Sequence, residues 1–248
     1  MKAFRVVCDY LIKGKNMRLD KLIADTGKAS RKEVKLAAKK GGITVNGISV
    51  MRTDMHVDPQ KDVVSFFGEQ IVYKKYTYVI MNKPAGYVSV TEAKGEIPAL
   101  ALLPEDLQKI GLFPAGRLDK STTGLLFLTN DGETAHRLTS PKHHAEKEYA
   151  YTVKYPLSAE DISVLEKGVT LDDGYVTLPC RIVGTGEREG RIILREGKYH
   201  QIKRMMQAVH NSITSLCRVR YADLTLEGLA EGEWRELTAE ETERILKN

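Results

Sequence analysis

Between Phe113 and Glu133 the chain reads FPAGRLDKSTTGLLFLTNDGE, with Asp119 in the polar half of that stretch. Pro114-Ala115-Gly116 is a turn signal ahead of it. The apolar run Leu125-Leu126-Phe127-Leu128 behind it closes on Asn130-Asp131-Gly132, a second turn signal. Asp119 is therefore expected on a loop that feeds directly into a strand, where a rigid scaffold commonly holds a reactive side chain. The plainer alternative is that Arg117 and Asp119 only help to order the turn. Other chemistries are poorly served. Cys8, Cys180 and Cys217 are odd in number and far apart, with no paired spacing for zinc or redox work, and are expected as reduced core thiols. His136, His143 and His144 cluster, but in no ligand spacing with carboxylate or cysteine company. Asp25-Thr26-Gly27 matches the triplet of an aspartic protease, a chemistry that needs two aspartates sharing a proton. No second copy exists, so the triplet is expected to end a helix. Gly184, Gly186 and Gly190 miss the dinucleotide-loop spacing and read as a hairpin turn. No metal and no cofactor are expected.

The elements that must position Asp119 follow from periodicity. Tyr76 to Met81 alternates like a strand and leads to Asn82-Lys83-Pro84-Ala85-Gly86, a turn whose lysine is expected at the surface without a chemical role. After a short helix over Glu133–Ser140, Lys147 to Tyr155 forms a period-two strand. Tyr149, Tyr151, Val153 and Tyr155 share one of its faces and read as a core-facing stripe. Ser158 to Asp161 caps a helix that stops at Gly168, and Asp172-Asp173-Gly174 turns one strand into the next. Arg191 to Arg195 is a strand. In the helix that follows, Ile202, Met205, Met206 and Val209 recur at i, i+3, i+4 and i+7, which leaves Lys203 and Arg204 off the apolar face. A strand through Leu216, Arg218 and Arg220 comes next, and Thr238 to Glu241 caps a final acidic helix.

The N-terminal part is different in kind. Residues 1 to 52 carry thirteen lysines and arginines against four acidic residues, a net +9, while the remainder holds 25 against 29, a net −4. Such a localised basic region suggests a polyanionic partner, since each neutralised phosphate releases condensed counterions. Leu19, Leu22 and Ile23 recur at helical spacing, with Gly27 as a stop. Ser30 and Glu33 form a capping box for a second helix. In it Val34, Ala37 and Ala38 face inward, while Arg31, Lys35 and Lys39 share the outer face. Asn46-Gly47 joins two short strands as a hairpin. The divisions expected are an extension over 1–16, a basic unit over 17–67, a polar connection over 68–75 and a larger unit over 76–248. The longest apolar run is a few residues, and no secretory signal is visible, so an intracellular, cytoplasmic protein without membrane contact is expected. At 42% hydrophobic residues the chain is ample for a real core.

Several of these stretches resemble known families. GRLDKSTTGLLFLTNDG resembles the catalytic motif of pseudouridine synthases, and NKPAGYVS, KEY and GKYHQIKRM resemble their other motifs in the family's order. RLDKLIADTGKASRKEVKLAAKKGGITVNG resembles the S4 RNA-binding domain. The resemblance implies an α+β protein: a small α/β S4-like domain, then a catalytic domain on a mostly antiparallel mixed sheet. It implies that Asp119 is the nucleophile, supported by Arg117, that Tyr149 stacks on the target base, and that Lys203 pairs with Asp119 and keeps it charged. Arg18, Lys21, Arg31, Lys32, Lys35 and Arg204 would contact RNA. The S4 domain together with YHQIKRM is similar to the small-subunit branch of the family. The implied substrate is then uridine 516 of 16S ribosomal RNA, met within a small-subunit assembly intermediate, by an enzyme expected as a monomer. The alternatives are a large-subunit (23S) ribosomal RNA pseudouridine synthase, or a non-catalytic S4-type RNA-binding protein of ribosome assembly.

Overall fold

The computed structural model of the protein describes residues 16–140 and 145–247. All but the last residue of the extension expected over 1–16 lies outside them, as do Cys8, His143 and His144. The first unit starts with β1 (Met17–Arg18), α1 (Leu19–Asp25) and α2 (Arg31–Lys39). The Ser30–Glu33 capping box is present, and Val34, Ala37 and Ala38 are buried. A four-stranded sheet follows from β2 (Ile43–Val45), β3 (Ile48–Ser49), β5 (Val64–Phe66) and β6 (Glu69–Gln70), while β4 (His56–Val57) pairs with β1. Asn46 and Gly47 both take positive φ, 53° and 80°, which is why the β2–β3 hairpin turns in two residues.

One expectation fails here. The polar connection placed over 68–75 begins with a strand: β6 pairs with β5, Ile71 is buried in the first core, and Tyr73 packs against it. The cause is a second tight hairpin at Phe67-Gly68, whose φ values of 49° and 85° return the chain on itself without the Asn-Gly signature.

The second unit runs through β7 (Tyr78–Lys83), β8 (Tyr87–Val88), β9 (Ile97–Pro98), α3 (Glu105–Lys109), β10 (Phe113–Pro114) and β11 (Thr123–Thr129). It continues with α4 (Gly132–Thr139), β12 (Lys147–Val153), α5 (Ala159–Lys167), β13 (Arg181–Gly184) and β14 (Glu189–Leu194). The last elements are α6 (Gln201–Ala208), β15 (Ile213–Tyr221), β16 (Leu224–Thr225), β17 (Trp234–Glu236) and α7 (Ala239–Lys247). Nine strands form one sheet in the order β13-β14-β12-β15-β11-β7-β17, with β10 on β11 and β16 on β15. Among the described residues β11–β15 is the one parallel pairing of this sheet, which is therefore mixed and mostly antiparallel. β11 lies inside it with Leu125 to Leu128 completely buried, which explains a run with no polar alternation. The Asn130-Asp131-Gly132 signal turns out to be a helix start: Asp131 accepts from the N–H groups of Glu133 and Thr134 at the head of α4. The tyrosine stripe is shorter than its period, since β12 ends at Val153. Tyr151 is buried as expected, but Tyr155 lies past the strand and is exposed. No helix among the described residues is long and apolar enough to cross a membrane.

Candidate active site

The site begins in the register of three neighbouring strands. Parallel pairing sets Gly124 of β11 beside Arg218 of β15, and antiparallel pairing sets Arg218 beside Tyr149 of β12. Strands distant in sequence thus share one row. Gly124 is obligatory there: its φ is +99°, and a Cβ would lie 2.3 Å from the Arg218 carbonyl oxygen.

Asp119 sits on the loop just before β11, and that loop is clamped on both sides. The buried Ser89 hydroxyl accepts from the Leu118 N–H at 3.1 Å and donates to the Leu118 carbonyl at 3.0 Å. On the far side the Lys83 ammonium donates to the carbonyls of Pro84 (2.8 Å), Tyr87 (3.0 Å) and Lys120 (3.4 Å). Lys83 is therefore a correction to the sequence reading: it is fully buried rather than at the surface. The turn it opens aims carbonyls inward, and an ammonium has three donors to match them. Burial pushes its pKa down to about 8, with the nearby charge of Asp119 opposing the shift. Arg218 is buried as well and donates to the Leu125 carbonyl at 2.7 Å, tying β15 to β11.

α6 approaches from above this row. Its buried face is Gln201, Ile202, Met205 and Met206, and this leaves Lys203 pointing at the loop. The Lys203 ammonium donates to Asp119 Oδ2 at 2.7 Å and to Ser121 Oγ at 3.1 Å. His200 Nε2 lies 3.5 Å from Asp119 Oδ1. Arg117, Asp119, Tyr149 and Lys203 all line one cleft of about 320 Å³, in the size range of small-ligand sites. Lys147 and Tyr221 line it too. Burial, reinforced by the Arg218 charge, lowers the pKa of Lys147 to about 8, and burial raises that of Tyr221 to about 12.

The candidate RNA contacts are divided by their surroundings. Arg31, Lys32 and Lys35 are exposed on α2 and make no ion pair among the described residues. Arg18 instead makes two bonds to the buried Asp20 carboxylate, at 3.1 and 2.7 Å, and Lys21 pairs with Asp25. Arg204 differs most from expectation. Its side chain is 12% exposed and engages both Asp172 and Asp173, so its charge is spent within the chain. Sequence reasoning missed Ser89, Lys147, His200 and Arg218 as site residues. His200 lies inside GKYHQIKRM, Lys147 inside KEY and Ser89 inside NKPAGYVS, while Arg218 stands on β15 outside these motifs; that each faces the site follows from the turns and strand pairing. Among the described residues no group of three or more His, Cys, Asp and Glu side chains gathers as metal ligands.

Comparison with known proteins agrees along almost the whole chain. Residues 77–208 match the RNA pseudouridylate synthase family and residues 17–64 the S4 domain. An uncharacterised RNA pseudouridine synthase of Bacillus subtilis is 44% identical over 91% of this chain and 96% of its own length. Ribosomal small subunit pseudouridine synthase A of Vibrio cholerae is 38% identical over 93% of this chain and all of its own, and that of Escherichia coli 36% over the same shares. A crystal structure of a pseudouridylate synthase superposes with a TM-score of 0.66 at 32% identity, covering 92% of this chain and 99% of that one. With an S4 domain ahead of a synthase region that spans more than half of its length, this chain belongs to the RNA pseudouridine synthase family.

Proposed function

We propose that the protein converts one uridine of small-subunit ribosomal RNA, uridine 516 of 16S ribosomal RNA, to pseudouridine, with Asp119 as the reactive group and Tyr149 stacked on the base. The observation that carries this reading is the Asp119 carboxylate held 2.7 Å from Lys203 in an open cleft shared with Tyr149. The small-subunit relatives, matched over 93% of the chain, support the substrate class.

The reaction breaks the N1–C1′ bond, turns the base and joins C5 to C1′; C5 loses a proton and N1 gains one. Nothing is oxidised and no group donor is consumed. The carboxylate can enter by attack on C1′, by taking a ribose proton or by adding to C6. Each route needs its oxygen fixed, and the Lys83, Ser89 and Lys203 contacts fix it. The target base must leave any helix it occupies, at a cost of roughly a few kcal/mol. Stacking on Tyr149 offsets about 1–3 kcal/mol of that. Arg31, Lys32 and Lys35 dock the RNA backbone, with Arg18 and Lys21 beside them, in an assembly intermediate met by a monomer in the cytoplasm.

Carbodiimide treatment and primer extension on ribosomal RNA from cells lacking the protein test this reading. The stop at position 516 should vanish, return with the wild-type gene and stay absent with Asp119→Asn, which still binds RNA. If every pseudouridine persists in the deletion strain, the reading is wrong. Loss of a different stop would replace the target and keep the chemistry.

A further inference from the structure

Beside the cleft the segment Glu196-Gly197-Lys198-Tyr199-His200-Gln201 makes a turn that the uridine chemistry does not account for. Tyr199 is 75% exposed, more than any other large apolar or aromatic side chain among the described residues. Its ring is nevertheless ordered against the His200 imidazole, with centroids 3.8 Å apart and planes 20° from parallel. His200 in turn lines the cleft next to Asp119. One face of the tyrosine is covered, and its exposure leaves the other open to solvent.

The turn under this pair is built to be rigid. Buried Glu196 accepts from Tyr175 Oη at 2.6 Å, from the Leu178 N–H at 2.8 Å and from Gln201 Nε2 at 2.6 Å. Gln201 Oε1 then accepts from the Lys198 N–H at 2.8 Å, closing the turn from within. Arg204 donates to the Tyr199 carbonyl at 3.3 Å while it holds Asp172 and Asp173. This gives Arg204 a purpose in place of the phosphate contact: it braces the turn and neutralises two carboxylates that would repel a phosphate. His200 also sits at φ 48° and ψ 31°, a left-handed conformation, without capping α6 by its side chain. Backbone strain of this kind gathers at ligand sites, where surrounding structure enforces it. Lys198, next in sequence to Tyr199, makes no ion pair among the described residues; its ammonium lies over the Tyr175 ring, 4.3 Å from the centroid, and leaves a positive charge on the turn.

We propose that the open face of Tyr199, backed by His200, is a stacking platform for an unpaired base adjacent to the uridine that enters the cleft. The proposal rests on the reading of the cleft as the uridine site. An aromatic face accepts any base, so the platform holds the flanking strand in its opened form and does not choose its sequence. Arg204 and His200 act through Tyr199 as positioning residues here.

The test uses the full chain and a synthetic RNA of the sequence around uridine 516, with 2-aminopurine replacing each neighbour of the uridine in turn. Stacking should quench the fluorescence at one flanking position on binding. Tyr199→Ala should abolish that quenching and weaken binding about tenfold, with the loss in activity falling on KM rather than kcat. Tyr199→Phe and Tyr199→Trp should retain both signals, and Tyr199→Leu, apolar but without a π-face, should behave as Tyr199→Ala. Unchanged quenching and affinity in Tyr199→Ala would overturn the platform, as would Tyr199→Phe failing as badly as alanine, which would point to the hydroxyl. If quenching and its loss occur but the wild type forms no pseudouridine in this RNA, the platform stands and the assigned reaction or target falls.

Discussion

A carboxylate on an exposed loop ordinarily samples several rotamers. Asp119 is denied that freedom by an ammonium on one oxygen and an imidazole near the other. Lys203 itself is only about a quarter exposed and is shared with Ser121 Oγ, so the pair is a directed contact instead of a loose surface bridge. Misplacing a reacting oxygen by about an ångström costs on the order of a hundredfold in rate. Lys203→Met should therefore lower kcat by about that factor while leaving RNA affinity nearly intact, and Lys203→Arg should recover part of the loss. Single-turnover release of tritium from RNA labelled at uridine C5, set beside filter binding, separates the two effects. A fall in affinity with kcat unchanged would show that Lys203 binds RNA instead of holding Asp119.

The elements that carry these side chains meet where backbone approaches backbone. β11 and β15 run parallel at Gly124, and a methyl group there would be 2.3 Å from the Arg218 carbonyl oxygen, 2.7 Å from its nitrogen and 2.8 Å from Cys217 Sγ. Two of these atoms are main chain inside a nine-stranded sheet and cannot yield. Gly124→Ala should cost about 3 kcal/mol, from strain at positive φ together with overpacking. Gly132→Ala makes the internal contrast: nothing lies within 4 Å of its added methyl, its φ is ordinary, and it opens α4. That change should be neutral or stabilise by up to about 1 kcal/mol. Urea unfolding of the two variants measures both, and equal effects would mean that the close approach is not what selects glycine.

At the scale of the molecule, a basic unit is set against a catalytic one. Their backbones touch at Gly27, where an added Cβ would fall 2.1 Å from the Asp106 carbonyl oxygen, and Lys74 pairs with Glu236 across the junction. The exposed lysines and arginine of α2 lie on the same unit as that contact. Replacing Arg31, Lys32 and Lys35 together by alanine should weaken RNA binding and reduce the slope of log K against log salt by about 2 to 3, one phosphate's share per cation removed. Activity at saturating RNA should be preserved. An unchanged salt slope would move the docking face elsewhere on the molecule.

Local signals carried much of this protein. The capping box at Ser30, the Asn46-Gly47 hairpin, the apolar run of β11 and the buried stripe of α6 are short-range patterns, and each became the element it announced. Motif resemblance also singled out Asp119, Tyr149 and Lys203, which stand in one cleft. Pairing across long separations decided the rest. No local pattern shows that Lys83 is buried under three carbonyls, that Phe67-Gly68 turns a polar stretch into a strand, or that Arg204 spends its charge on Asp172 and Asp173. A lysine or arginine looks the same in sequence whether it faces water, a carbonyl or a carboxylate. Which one it meets depends on the sheet register and on the turn that returns the chain, and these exist only once the tertiary structure has formed.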